Sequence, residues 1–144
     1  MKTQISRLNP PQLHSTPGYH HVTVAALGRV AFLAGQCPLD AAGIVVGVGD
    51  LDAQVDQVAA NSLIALSAIG AEPDDVVRSV VYVLTTEQAI LASAWRRFNE
   101  SPLAGAFTTA STLIGVAALG FPDQLVELDL TVALPAASPA PLTR

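Results

Sequence analysis

Between residues 125 and 133 the chain alternates strictly: Val126, Leu128, Leu130 and Val132 fall on one side, Glu127, Asp129 and Thr131 on the other. A period of two sends successive side chains to opposite faces of a sheet, so this stretch predicts a strand with one apolar and one polar face. Residues 108–119 predict a second strand, joined to the first by a turn at Gly120, Phe121, Pro122 and Asp123, residue types that accept or enforce turn dihedrals. Residues 76–84 are β-branched and almost continuously apolar, the pattern of a strand buried on both faces at the centre of a sheet. Elsewhere the period lengthens. Behind Asp50, a good N-cap, the residues Leu51, Val55, Val58, Leu66 and Ile69 recur in steps characteristic of a helix that stops at Gly70. A second stripe, Leu91, Ala94, Trp95 and Phe98, predicts a helix that ends near Asn99, preceded by the capping-box spacing of Thr85 and Gln88.

The first fifty residues are more broken. Residues 3–8 predict a short strand stopped by Pro10 and Pro11, and residues 19–26 and 29–34 predict a hairpin turning at Leu27-Gly28. A loop with glycines at 43, 47 and 49 leads to Asp50. Both helices follow strands and can cover one face of a common sheet, because crossovers between parallel strands share one hand. The other face is then bare and calls for a second subunit.

The 144 residues fit one domain at 1–134, with a Pro- and Ala-rich tail at 135–144 expected to be disordered. Only 13% of the chain is charged against roughly a quarter in an average globular protein, which strengthens the expectation of an oligomer. The net charge is −5 and the seven basic residues are scattered, an arrangement that argues against nucleic acid, whose phosphates need clustered cations. No apolar run approaches the roughly 18 residues of a membrane span, so no membrane partner is expected. A lone cysteine, Cys37, allows no internal disulfide and fits a cytoplasmic protein. His20 and His21 are adjacent on a predicted strand and diverge, so no metal site is expected, and Gly47-Val48-Gly49 lacks the Lys-Ser/Thr of a phosphate loop.

Several short stretches occur together in order: Pro17-Gly18-Tyr19, then Gly35-Gln36-Cys37-Pro38-Leu39-Asp40, then Gly49-Asp50 opening a helix with Gln54, Gln57 and Asn61, then Ile114-Gly115-Val116 and Val126-Glu127. With this set the chain resembles the Rid (YjgF-type) family of reactive-intermediate deaminases over about residues 3–133. The resemblance implies an α+β, chorismate-mutase-like fold, a homotrimer with small-molecule clefts between subunits, and hydrolysis of enamines and imines such as 2-aminoacrylate without a cofactor. It also exposes a departure. The arginine with which deaminating members hold the substrate carboxylate falls on Ser111 here, and residues 98–143 contain no arginine or lysine. A serine offers a neutral hydrogen bond in place of a charged bidentate fork.

By the same resemblance Tyr19, Gly35 and Ser111 are the expected substrate-binding positions, and Glu127 is the expected catalytic residue. A carboxylate facing a pocket can place a water against a C=N carbon and take its proton, whereas Asp129, about 6.8 Å further along the same face, reads as a surface residue. Ser111 and Thr112 point to opposite faces, so only one of them can line a site. Three functions follow as expectations. The first is a pocket that acts on or binds an imine, an enamine or a related carbonyl compound other than a simple amino-acid-derived carboxylate; the second is a conventional 2-imino-acid deaminase in which another arginine, Arg78 or Arg29 from a neighbouring chain, replaces the missing one; the third is a non-catalytic binding or regulatory protein.

Overall fold

The computed structural model describes residues 2–26 and 28–136. Its centre is a four-stranded mixed sheet made of β3 (Arg29–Phe32), β6 (Val126–Leu134), β4 (Val76–Leu84) and β5 (Ala110–Val116), in that spatial order. β6 runs antiparallel to both β3 and β4, and β5 runs parallel to β4. Two further strands, β1 (Ile5–Leu8) and β2 (Val22–Ala25), form a separate antiparallel pair. Helices α1 (Leu51–Ala68) and α2 (Gln88–Asn99) follow β3 and β4 and lie on one face of the sheet, giving the α+β architecture expected from the sequence.

The covered face holds the core. Val126, Leu128, Leu130 and Val132 of β6 and Val81 and Val83 of β4 are fully buried beneath Val55, Val58 and Leu66 of α1 and Ala94 and Phe98 of α2. Each of the larger aliphatic side chains contributes about 1.5–3 kcal/mol by leaving water. The opposite face carries Val30, Phe32, Val80, Tyr82 and Ile114 between Glu127, Asp129 and Thr131. Phe32 is 81% exposed there.

Helix α1 begins and ends as its sequence dictates. Asp50 accepts a hydrogen bond from the Ala53 amide at 3.1 Å, and Gly70 at φ 69° lets the Ala71 and Gly70 amides reach back to the Leu66 and Ser67 carbonyls. That is a Schellman ending, which glycine adopts without the steric cost of a Cβ.

Three expectations are corrected. β2 does not form a hairpin with β3: it pairs with β1, from Ile5 opposite Ala25 to Leu8 opposite Val22, while β3 takes β6 as its partner. β5 and β6 do not pair with each other either, because β4 lies between them and hydrogen-bonds to both. Finally, α2 has no capping box: Glu87 is its N-cap and makes no side-chain cap bond, while the Thr85 hydroxyl accepts from the Glu87 amide at 3.0 Å, forming a local turn instead. In the connection between β5 and β6 the left-handed residue is Asp123 at φ 64°, one of the few non-glycine types that tolerates it. The expectation of a disordered tail falls mainly on residues 137–144, outside those described; at its start the Pro135 carbonyl accepts a hydrogen bond from Arg29 Nε at 3.0 Å.

Candidate functional site

The four residues singled out by sequence fall into two groups on opposite faces of the sheet. Glu127 stands on the open face in register with Tyr82. Ser111 stands on the helix-covered face in register with Ser79.

Glu127 is held from several sides. Beyond β3 the chain departs from regular pairing and returns at Gln36, which exchanges backbone hydrogen bonds with Leu128 at 2.7 and 3.0 Å. This path carries Gly35 over the Glu127 carboxylate so closely that a Cβ at position 35 would collide with Oε2. A side chain at 35 would therefore displace the Glu127 carboxylate from this position. Oε1 accepts from the Cys37 thiol at 3.2 Å and from Gln124 Nε2 at 3.2 Å. Gln124 is itself buried, and its amide oxygen accepts from the Phe121 amide at 3.1 Å, so the donor is fixed in direction. Glu127 is thus anchored through one oxygen, unlike a strand carboxylate that simply faces solvent. Burial, and secondarily the neighbouring Glu127, push the Cys37 thiol up to about 11, so it remains protonated at neutral pH and acts as a donor. Next to this group lies a groove of about 690 Å³ with Gly35, Gln36 and Cys37 at one end and Asn61, Ile64 and Phe121 along its sides. Asn61 fixes one wall by donating to the Cys37 and Leu39 carbonyls at 3.1 and 2.9 Å.

The second group sits where α2 meets the outer edge of β5. Tyr19, Trp95, Ser111 and Leu113 line a cavity of about 240 Å³ together with Pro17 and Thr112. Tyr19 and Trp95 meet edge to face with ring centroids 6.3 Å apart. The Tyr19 hydroxyl lies 3.1 Å from His14 Nε2, and the His14 and His21 rings meet at 4.6 Å. Ser111 Oγ is 2.6 Å from Ser79 Oγ and donates to the Thr109 carbonyl at 3.1 Å. No residue lining this cavity is basic. Arg78 donates to Thr112 Oγ1 at 2.6 Å on the open face, and Arg29 donates to the Pro135 carbonyl, so within one chain both arginines are engaged away from Ser111.

β5 can take its position beside the helix layer because Gly115 faces the Thr85 carbonyl, where a Cβ would lie 2.5 Å from the oxygen. A separate hollow between α1 and α2 is lined by Asp56, Leu63, Arg97 and Glu100, with Asp56 and Arg97 joined in a 2.6 Å ion pair. Among the described residues no cluster of three or more His, Cys, Asp and Glu side chains is arranged to hold a metal, and no helix is long and apolar enough to cross a membrane.

Sequence reasoning missed Trp95 as a wall of the Tyr19 cavity, because its helical spacing marked it as core. It also missed Cys37 and Gln124 as partners of Glu127. For Gln124 the available signal was an amide side chain three residues before the carboxylate in a turn.

Comparison with known proteins completes the picture. The profile of the family described as Endoribonuclease L-PSP matches residues 11–134. YyfB of the Rid protein family from Yersinia pestis is similar at 35% identity, with 90% of this chain and 98% of that one covered and a TM-score of 0.81. YyfA from the same organism superposes with a TM-score of 0.64 at 19% identity, covering 91% and 100% of the two chains. A member of the YjgF protein family from Neisseria meningitidis gives 0.60 at 21%, covering 95% and 100%. These last two show the shared fold alone. A comparison with curated proteins returned no match. The matched profile spans most of the chain and the 35% identical YyfB structure covers nearly all of it, and on that ground the chain belongs to the YjgF/Rid family, the family described as Endoribonuclease L-PSP.

Proposed function

We propose that this protein is a homotrimer whose ligand pockets form between neighbouring copies, the Tyr19–Trp95–Ser111 cavity of one facing the Gly35–Glu127 group of the next, and that the pocket hydrolyses or binds a small imine or enamine. The exposed apolar strip of the open face and the unpaired outer edges of β3 and β5 supply surface for such an assembly. The single observation behind the chemistry is the anchoring of Glu127: with Oε1 held by Cys37 and Gln124, Oε2 is left to meet a ligand beside the Gly35 backbone. In that reading Glu127 orients a water against the C=N carbon, takes its proton and passes it to the imine nitrogen, giving a neutral carbinolamine. The carboxylate then takes the carbinolamine hydroxyl proton and returns it to the amine as the C–N bond breaks, so that a carbonyl compound and ammonia leave and the carboxylate is restored. No step needs a metal or a cofactor. A thiol kept protonated and free of a disulfide partner fits a cytoplasmic setting.

RNA cleavage, which the family description names, has less support in this chain. The charge is −5 and the arginines described above are engaged with Thr112 and Pro135, so no cationic track for phosphates is formed by them.

The test is ammonia release from neutral imines generated in solution, comparing the native protein with Glu127→Gln. Turnover above buffer that falls at least about a hundredfold in the variant supports the hydrolase. Saturable binding with no turnover by either protein leaves a binding function.

A further inference from the structure

The hydroxyl of Ser111 has only one proton, and its neighbours determine where that proton goes. Ser79 is fully buried and, among the described residues, its Oγ has one hydrogen-bonding neighbour, Ser111 Oγ, at 2.6 Å. A buried hydroxyl proton left without an acceptor is costly, so Ser79 donates to Ser111. Ser111 in turn donates to the Thr109 carbonyl at 3.1 Å. That carbonyl also accepts from the His20 amide at 3.2 Å and has a lone pair for each. The chain of donors thus runs Ser79 to Ser111 to Thr109. A hydroxyl has one proton and two lone pairs, so Ser111 has given away its proton, received one on a first lone pair, and keeps a single lone pair.

We infer that Ser111 offers its ligand an acceptor and no donor, so that the Tyr19–Trp95–Ser111 cavity selects a group that brings its own N–H, a primary carboxamide, and disfavours the isosteric carboxylate. This deepens the pocket proposed above and rests on the cavity being part of the ligand site. The surroundings point the same way. Tyr19, Trp95, Leu113 and Pro17 add flat apolar walls, and no lining residue is a cation that could neutralise a carboxylate. A carboxylate here would set its lone pairs against that of Ser111 in an apolar enclosure, where an unpaired charge is expensive. A carboxamide N–H meets the same lone pair as a donor.

Trp95 is the chain's one tryptophan and forms a wall of the cavity, so its fluorescence reports occupancy directly. Pyruvamide and pyruvate, equal in shape and differing in the group at issue, are titrated into the assembled native protein. Pyruvamide is expected to half-saturate at a concentration at least about tenfold lower than pyruvate, the scale of discrimination that a buried polar contact supplies. The paired variant Ser79→Ala/Ser111→Ala removes both hydroxyls together and leaves no orphaned donor, so it should fold; its preference is expected to shrink below about threefold. Ser111→Arg is expected to favour pyruvate. Equal or tighter binding of pyruvate by the native protein overturns the inference, as does a preference undiminished in the paired variant. A Trp95 signal unmoved by either compound overturns it together with the placement of the pocket. Ammonia release is measured alongside. Preference for pyruvamide without any turnover of its imine upholds the inference and removes the hydrolase, whereas turnover of carboxylate imines with pyruvate preferred does the reverse.

Discussion

The two faces of the sheet are built from the same four strands and solve opposite problems. Under the helices every β6 position from Val126 to Val132 that points inward is fully buried, and the polar pair Ser79 and Ser111 on β4 and β5 is joined by a hydrogen bond. On the open face apolar and charged residues are mixed, Phe32 is mostly exposed, and Glu127 is restrained by Cys37 and Gln124, which come from neighbouring loops. The covered face therefore determines whether the chain folds, while the open face determines what the folded chain meets. Polar residues are informative on both, but for different reasons: inside they must be paired to be tolerated, and outside, being held in place marks them out from ordinary solvated side chains.

The sharpest way to break this division is to mutate each face in turn. Leu128→Ala on the covered face should cost about 2–5 kcal/mol of unfolding free energy in a denaturant titration, because a fully buried leucine leaves a cavity. Phe32→Asp on the open face should leave the folded spectrum intact but convert a three-chain species by light scattering into single chains. If Phe32→Asp unfolds the chain as severely as Leu128→Ala, the two faces are not separable.

A second comparison is between the half-sites. Native protein should process 2-aminoacrylate, generated in place by a dehydratase, barely above buffer. Ser111→Arg should raise ammonia release roughly ten- to a hundredfold, the scale of one charge-assisted bond, with less gain if the longer side chain crowds Trp95. Adding Glu127→Gln should cancel that gain. Efficient native turnover would show that the carboxylate is gripped elsewhere.

Cys37 probes the Glu127 half without any substrate. Its alkylation by iodoacetamide should rise with pH toward a midpoint of about 11. Glu127→Gln removes an anion that opposes thiolate formation, so the midpoint should fall toward the ordinary value of 9.0 without reaching it, since burial is the larger cause. An unchanged midpoint would mean that the thiol and the carboxylate do not meet in solution.

The smallest effect belongs to the outer helix layer. The Arg97 guanidinium holds the Asp56 carboxyl below its usual range by a 2.6 Å hydrogen-bonded ion pair that remains half exposed. A carboxylate whose folded pKa is depressed adds stability above its unfolded pKa, and that stability is lost as pH falls through the folded value. Asp56→Asn should therefore cost at most about 1 kcal/mol at neutral pH, and the difference from native should vanish in acid below the depressed Asp56 pKa.

The sequence made the elements legible more readily than their partners. β4, β6 and α1 lie close to where periodicity places them because burial on one face writes a repeat into each. Pairing leaves no such trace. Turn residues at Leu27-Gly28 and at 120–123 mark changes of direction in the sequence, yet they do not say which strand edges then meet: β2 and β3 go to different sheets, and β4 lies between β5 and β6. The same limit governs the site. Glu127 and Ser111 could be proposed from a resemblance, but Cys37 reaches Glu127 across 90 positions of chain and Ser79 reaches Ser111 across 32, contacts that exist only once the sheet has formed.

The position of β6 also has a consequence for how the chain comes into being. It is the last strand of the sheet in chain order, yet it separates β3 from β4, with Arg29 paired to Leu134 about a hundred residues away. Until β6 is made, β3 has no sheet partner and β4 has only β5. A nascent chain emerging from the ribosome must therefore carry its apolar β4 strand without β6 from residue 84 until residue 134 is made, and the sheet can close only when β6 slides between two strands that are already waiting. Long-range closure of this kind is slow and exposes sticky edges while it lasts. Productive folding thus waits on the synthesis of β6, and chaperone protection matters most in the interval before it.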